Sequence, residues 1–461
     1  MLFSSQLFAE QPLPCKAKNP DDKRPRIGLV LGGGGARGVA HISVIKELER
    51  LHVPIDCIAG TSMGSLIGGL YASGMSSDEL EQMVTTLEWK TIMSDNVPRQ
   101  ERSLRRKSDD HLSLAPIRPG VGKDGLKLPS GVLSGENIIM FLTHKTSGGV
   151  GITDFNKLSI PYRAVATDIN SGQAVVLASG SLPMAMRASM SIPGAFTPVA
   201  IDGHLLVDGG MVDQVPVDVA RAMGADIVIA VDVGTPLTKI NNESNVLKIA
   251  DQVIGFLTVG NTDKTIASLR KSDILIQPKL GDDVSTTSFE PDKILLALEI
   301  GKQAASNATA KLAALSAPTV LPRQVPVEAA TQATVAFIDI NNKSLYDNSI
   351  FEEVLKPLKD KPLDYTQTEK VLKTLYGQYQ LDLVTYEVVH RDNKVGLAIN
   401  VEPMQTGRLK GEFGLKLASN QNSQTQFDLT FGVLLAPFNA PGGEIRALMT
   451  IGDEPRSGAR E

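Results

Sequence analysis

The stretch "IDCIAGTSMGSLIGGLYASG" (55–74) sets a serine in G-x-S-x-G between an apolar run and a run of small residues. That is the pattern of a nucleophile held on a sharp strand-to-helix turn, with Gly60 and Gly64 removing side chains where the turn is crowded. Ser62 is therefore the candidate nucleophile, although Thr61 or Ser62 also reads as a simple helix cap. A serine hydroxyl needs a base to take its proton. Downstream of Ser62 the histidines are His111, His144, His204 and His390. His390 belongs to a later, separate pattern, and His111 and His144 lie in regions without a clear strand end. His204 follows Asp202-Gly203, a hairpin signal, and a strand from there to Asp208 covers about 13 Å, which weighs against a triad using both. "LLVDGGMVDQVPV" (205–217) offers a carboxylate instead: Asp208 closes an apolar strand, and Gly209 and Gly210 leave it open to approach. An aspartate is a poor base at its usual pKa near 3.9, but burial raises it. Asp208 also reads as a plain turn-former before Gly-Gly.

The elements around these residues alternate. A strand at 26–31, a helix at 37–51, a strand at 55–60 and a helix from Met63 open a parallel sheet with right-handed crossovers. Further strands are expected at 162–169, 174–178, 205–210, 226–233 and 273–278, with helices at 214–223, 244–259 and 292–314. The last helix but one is apolar around more than half its circumference and reads as core or dimer contact. Between the first strand and helix, "LVLGGGGARG" (29–38) places Gly33, Gly35 and Gly38 in G-x-G-x-x-G spacing. A dinucleotide site would want an acid at the carboxyl end of the next strand, and Asp56 stands at its beginning. A glycine-rich helix start also points unpaired amides at an anion, and the oxyanion of acyl transfer is one.

Composition narrows the rest. The chain has 461 residues, 42% apolar and 21% charged, with net charge -5, so nothing suggests a nucleic-acid partner. Two cysteines cannot build a disulfide framework, no Cys/His spacing suits zinc, and Cys57 reads as an inert buried hydrophobe. No apolar run is long enough for a membrane helix. "RQERSLRRK" (99–107) is a basic cluster that reads as a solvated loop or as a contact for anionic head groups. Residues 1–24 read as a signal-peptide remnant and linker, 25–315 as one α/β domain, 316–332 as a proline-rich linker and 333–405 as a small β-α-α-β-β domain. In 406–461 three segments alternate strictly: Leu409, Gly411, Phe413, Leu415, Leu417; then Phe427, Leu429, Phe431, Val433, Leu435; then Ile445, Ala447, Met449, Ile451. Such strands suit an outer-membrane barrel or a half-buried antiparallel sheet.

"GLVLGGGGARGVAHISVIKELE", "GTSMGSLIGGLYASG", "SMSIPGAFTPV" and "VDGGMVDQVPV" resemble, in order and spacing, the four blocks of patatin-like phospholipases. The resemblance implies an α/β fold with a parallel or mixed sheet covered by helices on both faces. It implies hydrolysis of acyl esters of phospholipids by a Ser-Asp dyad, Ser62 and Asp208, without cofactor or metal. Carried over by position, Gly33, Gly34 and Gly35 would supply oxyanion amides, Arg37 a basic residue facing substrate, and Gly60, Gly64, Gly209 and Gly210 the motif turns. Residues 333–405 resemble a POTRA module, and the order of parts resembles a bacterial autotransporter class that carries its lipase to the outer membrane or cell surface. The partners implied are a phospholipid or membrane surface and the outer membrane itself, with a homodimer possible. The alternative is a secretion or assembly component whose patatin domain binds lipid without catalysis.

Overall fold

A computed structural model describes residues 14–15, 23–104, 107, 119–122, 125–147, 151–237, 246–317, 333–392, 394–419, 425–452 and 456–460. Most of the predicted leader and linkers, His111 and part of the basic cluster lie outside them. The chain clusters into two compact units. One comprises 1–87, 152–190 and 200–326; the other comprises 88–151, 191–199 and 327–461. The units do not follow linear boundaries, since 88–151 and 191–199 lie within the stretch read from sequence as one α/β domain.

The first unit is built on β1 (Ile27–Leu31), β2 (Cys57–Thr61), β3 (Tyr162–Asp168), β4 (Gln173–Leu177), β5 (Val199–Ile201), β6 (His204–Asp208), β7 (Ile227–Val231) and β8 (Ile274–Ile276). They form one sheet in the order β8-β7-β1-β2-β3-β6-β5, with β4 paired to β3. The strands from β8 to β3 are parallel, and β6 runs antiparallel to β3, so the sheet is mixed. β1 and β2 are fully buried, which is why their sequences are continuous apolar runs instead of alternating ones.

Helices α1 (Ala40–Arg50), α2 (Met63–Ala72), α3 (Ser77–Thr86), α4 (Leu182–Ser189), α5 (Val217–Ala222), α6 (Val246–Ala267) and α7 (Pro291–Ala313) complete this unit. Successive residues of β2 show that both sheet faces are covered. A Cβ on Gly68 of α2 would touch Ile58, whereas Cys57 shares a buried cluster with Ala220 of α5. Three sequence-based boundaries change. The predicted helix 37–51 is a 3-10 turn, Gly35–Val39, leading into α1; Pro216 delays α5 to Val217; and α6 runs on to Ala267. On α6 the side chains of Val253, Phe256 and Leu257 are 47–55% exposed, so this face is not core.

The reading of Cys57 as inert is overturned. Cys15 and Cys57 form a disulfide with a Cα–Cα distance of 4.9 Å. The Cys15 amide donates to the Met223 carbonyl at 2.8 Å, so residues 14–15 dock at the end of α5; the two cysteines are 42 positions apart in sequence, which conceals their proximity. Closing a loop of that size restricts the unfolded chain. Cys15→Ser is expected to lower unfolding stability by about 2–4 kcal/mol in denaturant titration. Thiol labelling of the unfolded, non-reduced protein is expected to find no free cysteine.

In the second unit, β9 (Val335–Asn342), α8 (Asn348–Leu355), α9 (Tyr365–Gln378), β10 (Leu381–Arg391) and β11 (Lys394–Pro403) follow in order. The sheet order is β9-β11-β10, with β9 parallel to β11 and β10 antiparallel to it. Phe351, Leu355, Leu372, Leu375, Val384, Tyr386, Leu397 and Ile399 pack as its core.

The last strands, β12 (Leu409–Ser419), β13 (Thr425–Leu435), β14 (Ile445–Gly452) and β15 (Arg456–Arg460), form an antiparallel meander. Sequence reading found three of them; β15 is too polar to announce itself. The three apolar series fall in register, Phe413 opposite Phe431 opposite Met449, and Leu415 opposite Leu429 opposite Ile451. Phe413, Phe427, Phe431, Val433, Met449 and Ile451 lie on the exposed side at 41–55%. Lys410, Glu412 and Asp428 are buried, and Arg446 reaches Glu412 at 3.1 Å. The sheet is apolar outward and charged inward.

Candidate active site

β1 and β2 pair with Leu31 opposite Gly60, so the turns leaving the two strands open side by side. Gly64 is packed so closely that a Cβ there would stand 2.1 Å from the Leu31 carbonyl oxygen, and one on Gly60 would stand 2.5 Å from that of Gly64. This forces the elbow and leaves Ser62 at φ 52°, ψ -123°, a conformation that side-chain-bearing residues rarely adopt. The Ser62 amide donates to Ser189 Oγ at 2.9 Å, and Ser189 Oγ donates to the Val165 carbonyl at 2.5 Å. Thr61 Oγ1 donates to the Asp213 carbonyl at 2.8 Å.

The acid arrives from the other side of β3. Thr61 pairs with Val165, and Asp208 pairs with Ala166, so the nucleophile and the carboxylate flank one strand at adjacent register positions. Ser62 Oγ donates to Asp208 Oδ2 at 2.7 Å, and the Gly210 amide donates to Asp208 Oδ1 at 2.8 Å. A Cβ on Gly209 would lie 2.2 Å from the Val165 carbonyl oxygen, so that turn too demands glycine. Burial pushes the Asp208 carboxyl up to about 6, against the lowering pull of the Ser62 and Gly210 hydrogen bonds. Its neighbour Asp213 is pushed up to about 8, first by burial and then by Asp218.

No histidine reaches Ser62 through any hydrogen bond among the described residues. His204 stands at the other end of β6 with Nδ1 3.3 Å from Asp168 Oδ2. His144 faces Glu369 at 3.0 Å. His41, not singled out from sequence, is fully buried; its Nε2–H donates to the Gly32 carbonyl at 2.8 Å, and burial lowers its pKa to about 4, so it is neutral.

The glycine run divides by role. The Gly33 amide is committed to the Gln214 carbonyl at 3.0 Å, and the Ala36 amide to the Thr286 carbonyl at 2.9 Å. This removes Gly33 from the expected set of oxyanion donors. The amides of Gly34 and Gly35 have no acceptor among the described residues. Gly35 has φ +55°, and a Cβ there would stand 2.2 Å from the Thr286 carbonyl oxygen. Gln214, also unnoticed in the sequence, donates from Nε2 to the Gly33 carbonyl at 2.7 Å. Its Oε1 occupies the space a side chain on Gly33 or Gly210 would need.

Arg37 is a correction. It is 3% exposed, and its guanidinium donates to the carbonyls of Val233, Gly281, Val284 and Gly234 at 2.7–3.0 Å. Burial lowers its pKa, with Asp232 and Asp282 partly offsetting this. A residue so engaged ties two loops to the glycine run and is not offered to substrate. Arg37→Met leaves four carbonyls without their donor, those of Val233 and Val284 in buried contacts, and is expected to cost about 3 kcal/mol or more of stability. The ratio of kcat/KM for anionic and neutral esters is expected to stay unchanged.

Residues 29–221 match the family model described as patatin-like phospholipase. This region is patatin-like. An uncharacterized NTE family protein of Mycobacterium tuberculosis is 36% identical over 220 residues, 48% of this chain and 52% of that protein. Human patatin-like phospholipase domain-containing protein 6 is 38% identical over 211 residues, 45% of this chain and 13% of that protein. The chain thus spans about half of the mycobacterial relative and a small part of the human one. Among solved structures, VipD from Legionella pneumophila aligns with TM-score 0.36 at 16% identity, covering 62% of this chain and 67% of that one. A likeness of that size adds nothing to the argument.

Proposed function

We propose that the chain is a lipid acyl hydrolase of phospholipase A type, working through a Ser62–Asp208 dyad. The 2.7 Å contact between a strained serine and a buried carboxylate carries this reading. Ser62 Oγ attacks the ester carbonyl while Asp208 takes its proton, and the free Gly34 and Gly35 amides stabilise the oxyanion. Collapse expels the lyso-lipid alcohol, which takes the proton from Asp208, and leaves the acyl group on Ser62. Water then attacks the acyl-enzyme, giving its proton to Asp208, and the fatty acid departs as Ser62 recovers its hydrogen. A carboxylate with pKa about 6 is ionised at neutral pH yet basic enough to share a proton in the transition state. The test is a fluorophosphonate probe with peptide mapping, alongside fatty-acid release from mixed phospholipid vesicles. Label confined to Ser62 and release of one fatty acid per lipid are expected; an unlabelled Ser62 favours the non-catalytic lipid-binding module.

The C-terminal sheet supports surface display. Apolar side chains outward and Lys410, Glu412, Asp428 and Arg446 inward is the polarity of a membrane barrel wall, opposite to that of a sheet in water. The buried disulfide suits an oxidising compartment. Fractionation of expressing bacteria, with protease accessibility on intact cells, is expected to place the chain at the outer membrane; recovery in the cytosol overturns this part alone.

A further inference from the structure

One side-chain amide joins both halves of the site. Asn261 of α6 donates from Nδ2 to the Gly210 carbonyl at 2.9 Å, and its Oδ1 accepts the Gln214 amide at 2.9 Å. Each of those two peptides has a second duty. The Gly210 amide donates to Asp208 Oδ1, on the carboxylate whose other oxygen holds Ser62. The Gln214 carbonyl accepts the Gly33 amide, and the Gln214 side chain donates to the Gly33 carbonyl. A continuous run of hydrogen bonds therefore leads from Asp208 through Gly210, Asn261 and Gln214 to the glycine run.

We propose that Asn261 is a positioning residue that fixes the Asp208 carboxylate and the Gly33–Gly35 loop relative to each other; this rests on the hydrolase reading above. The chemistry selects a carboxamide, because the position must donate to a carbonyl and accept from an amide in one short planar group. α6 gives it a firm base: the helix runs 22 residues and packs on the Gly209–Met211 turn. Among the described residues Asn261 makes no hydrogen bond to Ser62 or to the Asp208 carboxylate; it donates to the Gly210 carbonyl. Its influence is on direction, keeping the Gly210 N–H on Asp208 Oδ1 so that Oδ2 faces the hydroxyl, and keeping Gly33 engaged so that the next two amides stay free. Without it, the Gly210 carbonyl and Gln214 amide lose their partner and the turn relaxes. Asp208 then loses a hydrogen bond to its charged form, which raises its pKa further.

The test compares Asn261→Ala, Asn261→Asp and, as a control on the same helix, Asp263→Ala at an exposed position. For Asn261→Ala, kcat on a soluble short-chain ester is expected to fall about tenfold or more with KM within about twofold. The acid limb of kcat/KM is expected to move to higher pH, and amide hydrogen exchange to quicken in peptides covering 32–38 and 207–215. Asn261→Asp keeps side-chain volume and the acceptor for Gln214, and so serves if the alanine variant does not fold. It adds a negative charge near Asp208, and its acid limb is expected to shift up as well. Asp263→Ala is expected to match the unaltered protein throughout. If the unaltered protein takes no phosphonate label at Ser62, the hydrolase reading fails and the catalytic part of this proposal with it. If Ser62 is labelled and both Asn261 variants match Asp263→Ala in kcat, acid limb and exchange, the proposal alone is overturned.

Discussion

Ser62→Ala is expected to lower ester hydrolysis by about 10⁴-fold or more while leaving the far-ultraviolet circular dichroism spectrum in place. The size follows from what the residue supplies. Without Oγ no acyl-enzyme can form, and neither Asp208 nor the glycine amides can replace a covalent intermediate with water held at the same point. The fold survives for a separate reason. The elbow is imposed by Gly60 and Gly64 against backbone carbonyls, and by the Ser62 amide donating to Ser189, none of which involves the hydroxyl. Alanine keeps the same positive φ at the same cost as serine. The variant is also expected to retain binding to phospholipid vesicles, separating recognition from chemistry. Residual hydrolysis within about tenfold of the unaltered protein would sink the nucleophile assignment.

The same site shows what a sequence can and cannot disclose. Ser62 and Asp208 were legible because each stands where an apolar strand meets glycines, and strand ends in such sheets are where side chains converge. His204 could be set aside because the length of its own strand parts it from Asp208, and the structure places it on Asp168 instead. Arg37 misled because a basic residue beside a glycine-rich helix start resembles a substrate contact. Only the positions of Val233, Gly234, Gly281 and Val284, about 200 residues and more downstream, reveal that backbone carbonyls already engage it. Gly33 fails as a donor for the same kind of reason, since its amide is taken by Gln214. The role of Ser189 was hidden in a block quoted for its resemblance but carrying no visible chemistry. The Cys15–Cys57 bond needed α5 and the start of β2 to be neighbours, and nothing local encodes that. Strand alternation in 409–451 was legible as a pattern, but which face is buried was not, and the buried side holds Lys410, Glu412 and Asp428.

Asp208→Asn is expected to abolish most activity and to make the protein more stable at pH 8, two effects with one cause. Asparagine is nearly isosteric: its Oδ1 still accepts the Gly210 amide, and its Nδ2 can donate to Ser62 Oγ, so the geometry persists with the proton-accepting oxygen removed. Loss of a positioned base costs about 10²–10⁴-fold in rate. On the stability side, burial raises the Asp208 carboxyl from its ordinary 3.8 to about 6, which means the folded state disfavours the charge. Relative to a neutral side chain, that charge costs about 3 kcal/mol above pH 6. The folded state holds the proton between about pH 4 and pH 6 where the unfolded chain has released it. The penalty is therefore absent below the lower value and complete above the upper. Asp208→Asn removes it, so its thermal midpoint is expected to exceed that of the unaltered protein by about 5 °C at pH 8 and to converge with it near pH 4. The unaltered protein is expected to lose kcat/KM about tenfold per pH unit below pH 6, as the carboxylate proposed to accept the Ser62 proton becomes occupied. Thermal scans and rate profiles across pH 4–8 check both halves. A variant that is inactive but less stable at pH 8 would mean that Asp208 is held as a structural hydrogen-bond acceptor, with its charge tolerated instead of strained, and the dyad would lose the energetic signature of a catalytic base.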